Sequence, residues 1–277
     1  MKKAIWLNKK IDLSATRKIK TLLKDLALNT VCQEALCPNI SECFSKGVAT
    51  FMIMGDICTR NCRFCGVTKG KPLKLDPKEP ERIKEAVIKL NLKYVVITSP
   101  SRDDLDDGGA SFFAKTVSVL RTLSFVEKIE LLIPDFFLNM NSLKIIADCG
   151  ADVIGHNVET VPSLYQKVRP MANYERSLTV LRTIKALNNS IVTKSGIMLG
   201  LGENDGEVLR VFNDLRNAGC DFLSIGQYLP PSSKHYPLKN YVHPDKFIYF
   251  KKKALSIGFK SVLSAPYVRS SYLADSY

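Results

Sequence analysis

The sequence contains no run of about 18 apolar residues, which excludes a transmembrane helix. The lysines in Met1–Asn8 are not followed by an apolar stretch long enough for a secretory leader, so a cytoplasmic chain is expected. Long disordered or low-complexity stretches are also missing: 45% hydrophobic and 24% charged residues are ordinary for a folded domain. Histidine is scarce, and His156, His235 and His243 read as structural rather than as ligands. Acidic residues fall short of basic ones, 27 against 40, leaving a net charge of +13. That excess fits an anionic partner or simply a lysine-rich proteome. An acidic carrier protein, a nucleic acid and a membrane surface all satisfy charge alone.

What is present is a repeat of short strands and helices within 277 residues, enough for one large α/β domain or two small ones. Candidate strands are Thr50–Asp56, Tyr94–Thr98, Ile129–Ile133, Asp152–His156, Ile191–Leu199 and Phe222–Gly226. Between them stand helical patterns: Ile83/Val87/Leu90, Phe113/Val117/Leu120, Leu143/Ile146, Leu178/Leu181/Ile184 and Val208/Phe212/Leu215. Gly150, Gly219 and Gly258 each follow a helical run, where a left-handed C-cap favours glycine. Six βα units with right-handed crossovers predict an α/β fold, a partial (β/α)6 TIM-like barrel with its site at the strands' C-terminal ends. Residues 1–48 read as an N-terminal extension, 49–258 as the barrel and 259–277 as a C-terminal extension. In residues 10–30, Ile11, Leu13, Ile19, Leu22, Leu23, Leu26 and Leu28 among lysines predict a basic amphipathic helix with its apolar stripe on the main domain.

Six of the eight cysteines fall in two groups of three. Cys32, Cys37 and Cys43 are spaced Cys-x4-Cys-x5-Cys; Cys58, Cys62 and Cys65 are spaced Cys-x3-Cys-x2-Cys directly after the first strand. Neither group has a fourth member nearby. Three thiolates on one loop suit a [4Fe-4S] cube with one iron left open. Structural zinc wants a closed four-ligand site, and a disulfide framework suits neither an odd count nor a reducing compartment. Cys149 and Cys220 stand beside helix-ending glycines and read as small buried hydrophobes.

CTRNCRFC after the first of six βα units resembles the signature of the radical S-adenosylmethionine superfamily. CQEALCPNISECF followed by GDICTRNCRFCGV is similar, more narrowly, to the lipoyl synthase family. TSPSRDDLDDGGA, HNVETVPSLYQKVRP, KSGIMLGLGE, IGQYLPPSSKHYPLKNYVHP and the closing RSSY extend the likeness over nearly the whole chain. The family usually continues with His after RSSY, where this chain has Leu273.

The resemblance implies two [4Fe-4S] clusters and S-adenosylmethionine. One cluster, on Cys58, Cys62 and Cys65, binds the methionine moiety at its open iron and gives an electron to the sulfonium, yielding the 5′-deoxyadenosyl radical. Phe64 takes the position that contacts adenine. The other, on Cys32, Cys37 and Cys43, is completed by Ser271, with Ser270 as the alternative, and is consumed as the sulfur donor. A serine is a harder ligand than thiolate, so it makes one labile corner. The implied reaction inserts sulfur at C6 and C8 of an octanoyl chain on a carrier lysine, with two S-adenosylmethionines per product. Those C–H bonds are unactivated, so a radical rather than a base must remove the hydrogen.

Asn157 and Glu159, after the fourth strand, are placed to hydrogen-bond ribose or methionine. Arg169 and Lys194 suit a carboxylate. Relatives use the acidic turn of Asp103, Asp104, Asp107 and Gly108–Gly109 for the methionyl amino group, and Gln227 follows the sixth strand. Each is otherwise a solvated loop residue. The implied partners are octanoylated lipoyl carrier domains (E2 subunits and the glycine cleavage H protein), a donor such as ferredoxin or flavodoxin, and an iron–sulfur carrier protein, with no nucleic acid or membrane. Such carriers are typically acidic, which gives the basic surface a partner to steer.

Two rivals remain at this stage. Another two-cluster radical enzyme, a methylthiotransferase acting on RNA, shares a second cluster but not the Cys32–Cys43 block, the RSSY end or the lack of an RNA-binding domain. A zinc-stabilised nucleic-acid module needs ligands that the spacings do not supply, and it leaves the βα units unexplained.

Overall fold

The protein is described by a computed structural model over residues 4–8, 13–45 and 49–272. Seven parallel strands form one sheet: β1 Thr50–Met52, β2 Tyr94–Thr98, β3 Lys128–Leu132, β4 Val153–Gly155, β5 Val192–Leu199, β6 Phe222–Gln227 and β7 Ser261–Ser264. They lie in sequence order, with Thr50 opposite Val96, Tyr94 opposite Lys128, and Lys194 opposite Phe222. Asn29–Thr30 adds an antiparallel edge against β1. The consecutively buried Val95, Val96 and Ile97 show a strand covered on both faces, as βα crossovers require.

Five helices fall where the apolar periods place them: α1 Glu79–Leu90, α2 Ala110–Leu120, α3 Met140–Asp148, α4 Tyr174–Leu187 and α5 Asp205–Asn217; a sixth, α6 Pro244–Ser256, is the helical run that Gly258 follows. Asn139, Asn173 and Asn204 cap α3, α4 and α5 by accepting from backbone N–H groups of the first turn. Gly219 and Gly258 take φ of +83° and +97°, as their positions after α5 and α6 predict. The N-terminal helix Leu13–Asp25 buries Ile19 and Leu23 in the core, with Arg17, Lys18, Lys20 and Lys24 outside. Ile11 and Leu273 lie outside the described residues.

The sequence predicts six strands, and the sheet has a seventh. Ser261–Ser264 belongs to the segment read as an extension, yet it pairs in parallel with β6. With only Val262 and Leu263 between serines, it carries too little apolar pattern to be seen as a strand. The first strand is in turn shorter than predicted. Met54 has φ +68°, its N–H is held by Glu79 (2.7 Å) and its carbonyl by Arg102 (2.9 Å), which turns the chain out of the sheet.

His156, just past β4, is fully enclosed: Nδ1 meets the Ile133 carbonyl at 2.9 Å and Nε2 the Ser177 hydroxyl at 3.1 Å. Burial, helped by the Arg169 charge, brings its pKa down to about 4. The unfolded chain takes this proton near pH 6.5, and the folded chain only near 4. Stability from the neutral ring is therefore present above pH 6.5 and lost as pH falls to 4, on the order of 3 kcal/mol. Urea unfolding of the metal-free protein should show this acid-side slope, and His156→Gln should flatten it between pH 6.5 and 4.

Candidate active site

One cavity of about 350 Å³ opens beyond the C-terminal ends of the strands, and all six grouped cysteines line it. Two structures deliver them. Thr30 caps a short helix, Val31–Glu34, that holds Cys32. The Cys37 N–H then bonds the Cys32 carbonyl (3.0 Å), and a second helix, Ile40–Ser45, carries Cys43. The other three ride the loop leaving β1, closed by the short parallel pair Ile57–Cys58 and Thr68–Lys69. The loops interlock at Gly66, where an added Cβ would stand 3.3 Å from the Ala35 Cα and the Glu34 carbonyl.

Arg60 lies inside the second loop with only 4% of its side chain exposed. It pairs bidentately with Asp103 (2.8 and 2.8 Å) and bonds Asp135 at 2.6 Å. Arg176 at the start of α4 takes the other Asp135 oxygen at 2.7 Å. Although burial opposes it, the Arg60 guanidinium holds Asp135 well below the usual carboxylate range. Both guanidiniums lie over the Phe137 ring, 4.5 and 4.9 Å from its centre, and Phe137 has left-handed backbone (φ +49°).

The sulfurs are set up as acceptors. The N–H groups of Arg60 and Ser101 point at Cys58 Sγ, at 3.4 and 3.3 Å. Burial pushes the Cys65 thiol up to about 12 and Cys32 up to about 11. It also raises Cys62, with the Arg169 charge opposing. Such thiols give up their protons to a strongly bound metal or not at all. Among the described residues, no three Cys, His, Asp or Glu side chains converge on a single ion. Thiols ranged around one cavity, N–H groups aimed at sulfur and buried polar atoms without a partner in the chain (Asn157 Oδ1, Ser99 Oγ) suit a polynuclear cluster with a polar ligand beside it.

The last described residues close over this cavity. Val268, Arg269, Ser270, Ser271 and Tyr272 all line it. Asn39, between the N-terminal cysteines, donates to the Tyr267 carbonyl (2.6 Å), and the Tyr272 hydroxyl donates to Glu42 (2.9 Å). Asn157 donates to the Ser270 hydroxyl at 2.6 Å. Gly226 at the end of β6 makes the approach feasible, because a Cβ there would stand 2.1 Å from the Val268 carbonyl.

Of the other sequence-selected residues, Phe64, Asn157, Glu159, Arg169 and Gln227 line the cavity. Asn157 also donates to Glu159 (3.0 Å), while Arg169 bonds the Asn157 and Val158 carbonyls (3.0 and 3.2 Å). Gln227 spends its carboxamide on the backbone of Leu199, Tyr228, Asn240 and Val242, so it braces the wall. Two residues are not brought to the cavity. Asp103 is taken by Arg60, and Lys194 is buried against Glu130 at 3.0 and 3.1 Å. Asp103 follows β2 and Lys194 lies within β5, and each finds its counter-charge inside the protein. Asp104 pairs with Arg102 and Asp107 closes the turn at Gly109, so the acidic turn is largely self-satisfied. Arg60 and Asp135 carried no sequence signal beyond Arg60's place between cysteines.

The family model described as the radical SAM superfamily matches residues 52–226, and the chain belongs to that superfamily. Within it the chain is a member of the lipoyl synthase family. It is 55% identical over 275 residues to the lipoyl synthase of Caldicellulosiruptor saccharolyticus, covering 99% of this chain and 96% of that one. It is 52% identical over 275 residues to that of Caldanaerobacter subterraneus subsp. tengcongensis, covering 99% and 96%. In fold it is similar to methylornithine synthase (TM-score 0.58, 13% identity, covering 89% of this chain and 81% of that one). It is thus a sulfurtransferase whose cofactors are two [4Fe-4S] clusters and S-adenosylmethionine. No helix among the described residues is long and apolar enough to cross a membrane.

Gly226→Ala should force the 266–272 segment off the barrel at a cost of roughly 1–3 kcal/mol. Limited proteolysis of the metal-free protein should then cut this segment faster than in the parent, while the midpoint of thermal unfolding falls.

Proposed function

We propose that Cys58, Cys62 and Cys65 hold the cluster that works on S-adenosylmethionine, and that Cys32, Cys37, Cys43 and Ser271 hold the one that supplies sulfur. The observation that carries this division is the sharing of one cavity by both thiol groups and the RSSY turn. When bound, these groups provide a radical able to break an unactivated C–H bond and a sulfide to take its place. The chain's own part is to position and to exclude water. Phe64, beside Cys65, offers an aromatic face to the adenine. Asn157 and Glu159, with Arg169 behind them, offer polar contacts to the sugar and methionine. Asp103 and Lys194 keep the loop and the sheet in place. Ser271 is the better fourth ligand of the two serines, since the Ser270 hydroxyl is already engaged by Asn157.

The substrate is an octanoyl chain carried on a lysine of a lipoyl domain, such as an E2 subunit or the H protein, and sulfur enters at C6 and C8. Ferredoxin or flavodoxin supplies electrons, an iron–sulfur carrier rebuilds the spent cluster, and the work is done in the cytoplasm. In domain terms residues 1–48 and 259–277 are extensions of the 49–258 barrel, the second of which adds β7 to its sheet.

Anaerobic incubation with S-adenosylmethionine, dithionite and an octanoyl-lysine peptide should give products heavier by one and then two sulfurs, read by mass spectrometry. Cys58→Ala should lose both peptide thiolation and 5′-deoxyadenosine. Cys32→Ala should keep 5′-deoxyadenosine yet add no sulfur; equal loss of both products in Cys32→Ala would count against the division. With an octanoylated acidic carrier domain in place of the peptide, turnover at limiting carrier should fall as salt rises. A flat salt titration would remove the steering role of the +13 charge.

A further inference from the structure

We propose that Ser270 and Tyr272 are positioning residues that hold Ser271 at the auxiliary cluster, with Asn157 as the anchor on the barrel. The inference rests on the reading of Ser271 as that cluster's fourth ligand. Three consecutive side chains of one turn have three different fates. The turn is closed by the Tyr272 N–H on the Arg269 carbonyl at 3.0 Å. Ser270 accepts from Asn157 Nδ2 at 2.6 Å, and Asn157 follows strand β4. Tyr272 donates to Glu42 Oε1 at 2.9 Å, and Glu42 directly precedes Cys43 on its helix. Ser271 lies between these two anchors and lines the cavity.

The anchors are themselves fixed. Asn157 Nδ2 gives its second hydrogen to Glu159 at 3.0 Å, so the carboxamide has one orientation. The strand beneath leaves no slack: a Cβ on Gly196 would stand 2.9 Å from Asn157 Oδ1 and 3.0 Å from Ser270 Oγ. Glu42 belongs to the same short helix as Cys43, so the Tyr272 bond ties the serine to the thiolate set rather than to the surface. A serine oxygen binds iron weakly beside thiolates. Its occupancy then depends on how closely the chain confines it, and the two flanking hydrogen bonds supply that confinement. The same Asn157 borders the space assigned to S-adenosylmethionine, and its buried Oδ1 has no partner in the chain. The anchor for the serine therefore also faces the other half of the site.

The test uses the full chain with Cys58, Cys62 and Cys65 replaced by alanine, so that it loads only the auxiliary cluster. Iron release to a chelator is followed without oxygen. Ser270→Ala and Tyr272→Phe should each speed release roughly five- to tenfold, the effect of losing one hydrogen bond. Ser270→Thr should restore the parent rate, and Ser271→Ala should set the upper limit. Release from both Ser270→Ala and Tyr272→Phe within twofold of the background would overturn the proposal. A second readout uses metal-free protein with all cysteines intact. Amide exchange at Tyr272 should quicken in Asn157→Ala and in Tyr272→Phe, while exchange within β5 stays unchanged. Unchanged exchange at Tyr272 would also overturn it. Should Ser271→Ala release iron no faster than the background, the ligand assignment fails instead, and the exchange measurement still decides whether the two neighbours position the turn.

Discussion

Beside the backbone bonds of Thr59 to Ser101 and of Arg63 to Val168, one buried cation ties the Cys58–Cys65 loop to the barrel. Arg60, between the first two cysteines of the loop, bonds Asp103 after β2 and Asp135 after β3, and Asp135 is bonded again by Arg176 from α4. A loop of eight residues with no core of its own is thereby referenced to three βα units. Removing one partner from such a network leaves an uncompensated buried charge, a cost of roughly 3–5 kcal/mol. Its yield is orientation as much as stability. It sets where Cys58 meets the N–H groups of Arg60 and Ser101, and where Cys62 meets Arg169.

Around that fixed loop the first and last described segments form a clasp. The N-terminal cysteine helices are pressed against the loop at Gly66, and the final turn is drawn over the opening by Asn39, Glu42 and Asn157. Tyr267 reaches further, donating to the Leu7 carbonyl at 2.5 Å, so the first and last described segments meet. Both groups of cysteines line one cavity because their segments pack together at Gly66 and the 267–272 turn bonds to the N-terminal helix and to Asn157.

Much of this was legible in the sequence, for physical reasons. Apolar periods fix α1 to α5 because each helix buries one stripe against the sheet, as Val208, Phe212 and Leu215 do in α5. The cysteine spacings announce their chemistry because few other arrangements use three thiolates without a fourth. The seventh strand was hidden because Ser261–Ser264 is brief and polar at both ends, and it is defined by its pairing with β6 rather than by its own pattern. Asp103 and Lys194 show a second limit. A charge on or after a strand signals a site only until an internal partner claims it, and Arg60 and Glu130 are distant in sequence. Ser270 and Ser271 cannot be told apart by composition. They part company only when Asn157 takes one of them.

The division of the cysteines into two cluster sites is most directly tested by counting iron and sulfide in anaerobically reconstituted protein, with Mössbauer spectra of the parent beside the Cys32/Cys37/Cys43→Ala and Cys58/Cys62/Cys65→Ala triple variants. About eight irons are expected in the parent and about four in each triple variant, with different spectra in the two. A parent holding only four irons, or a triple variant that still holds eight, would contradict it.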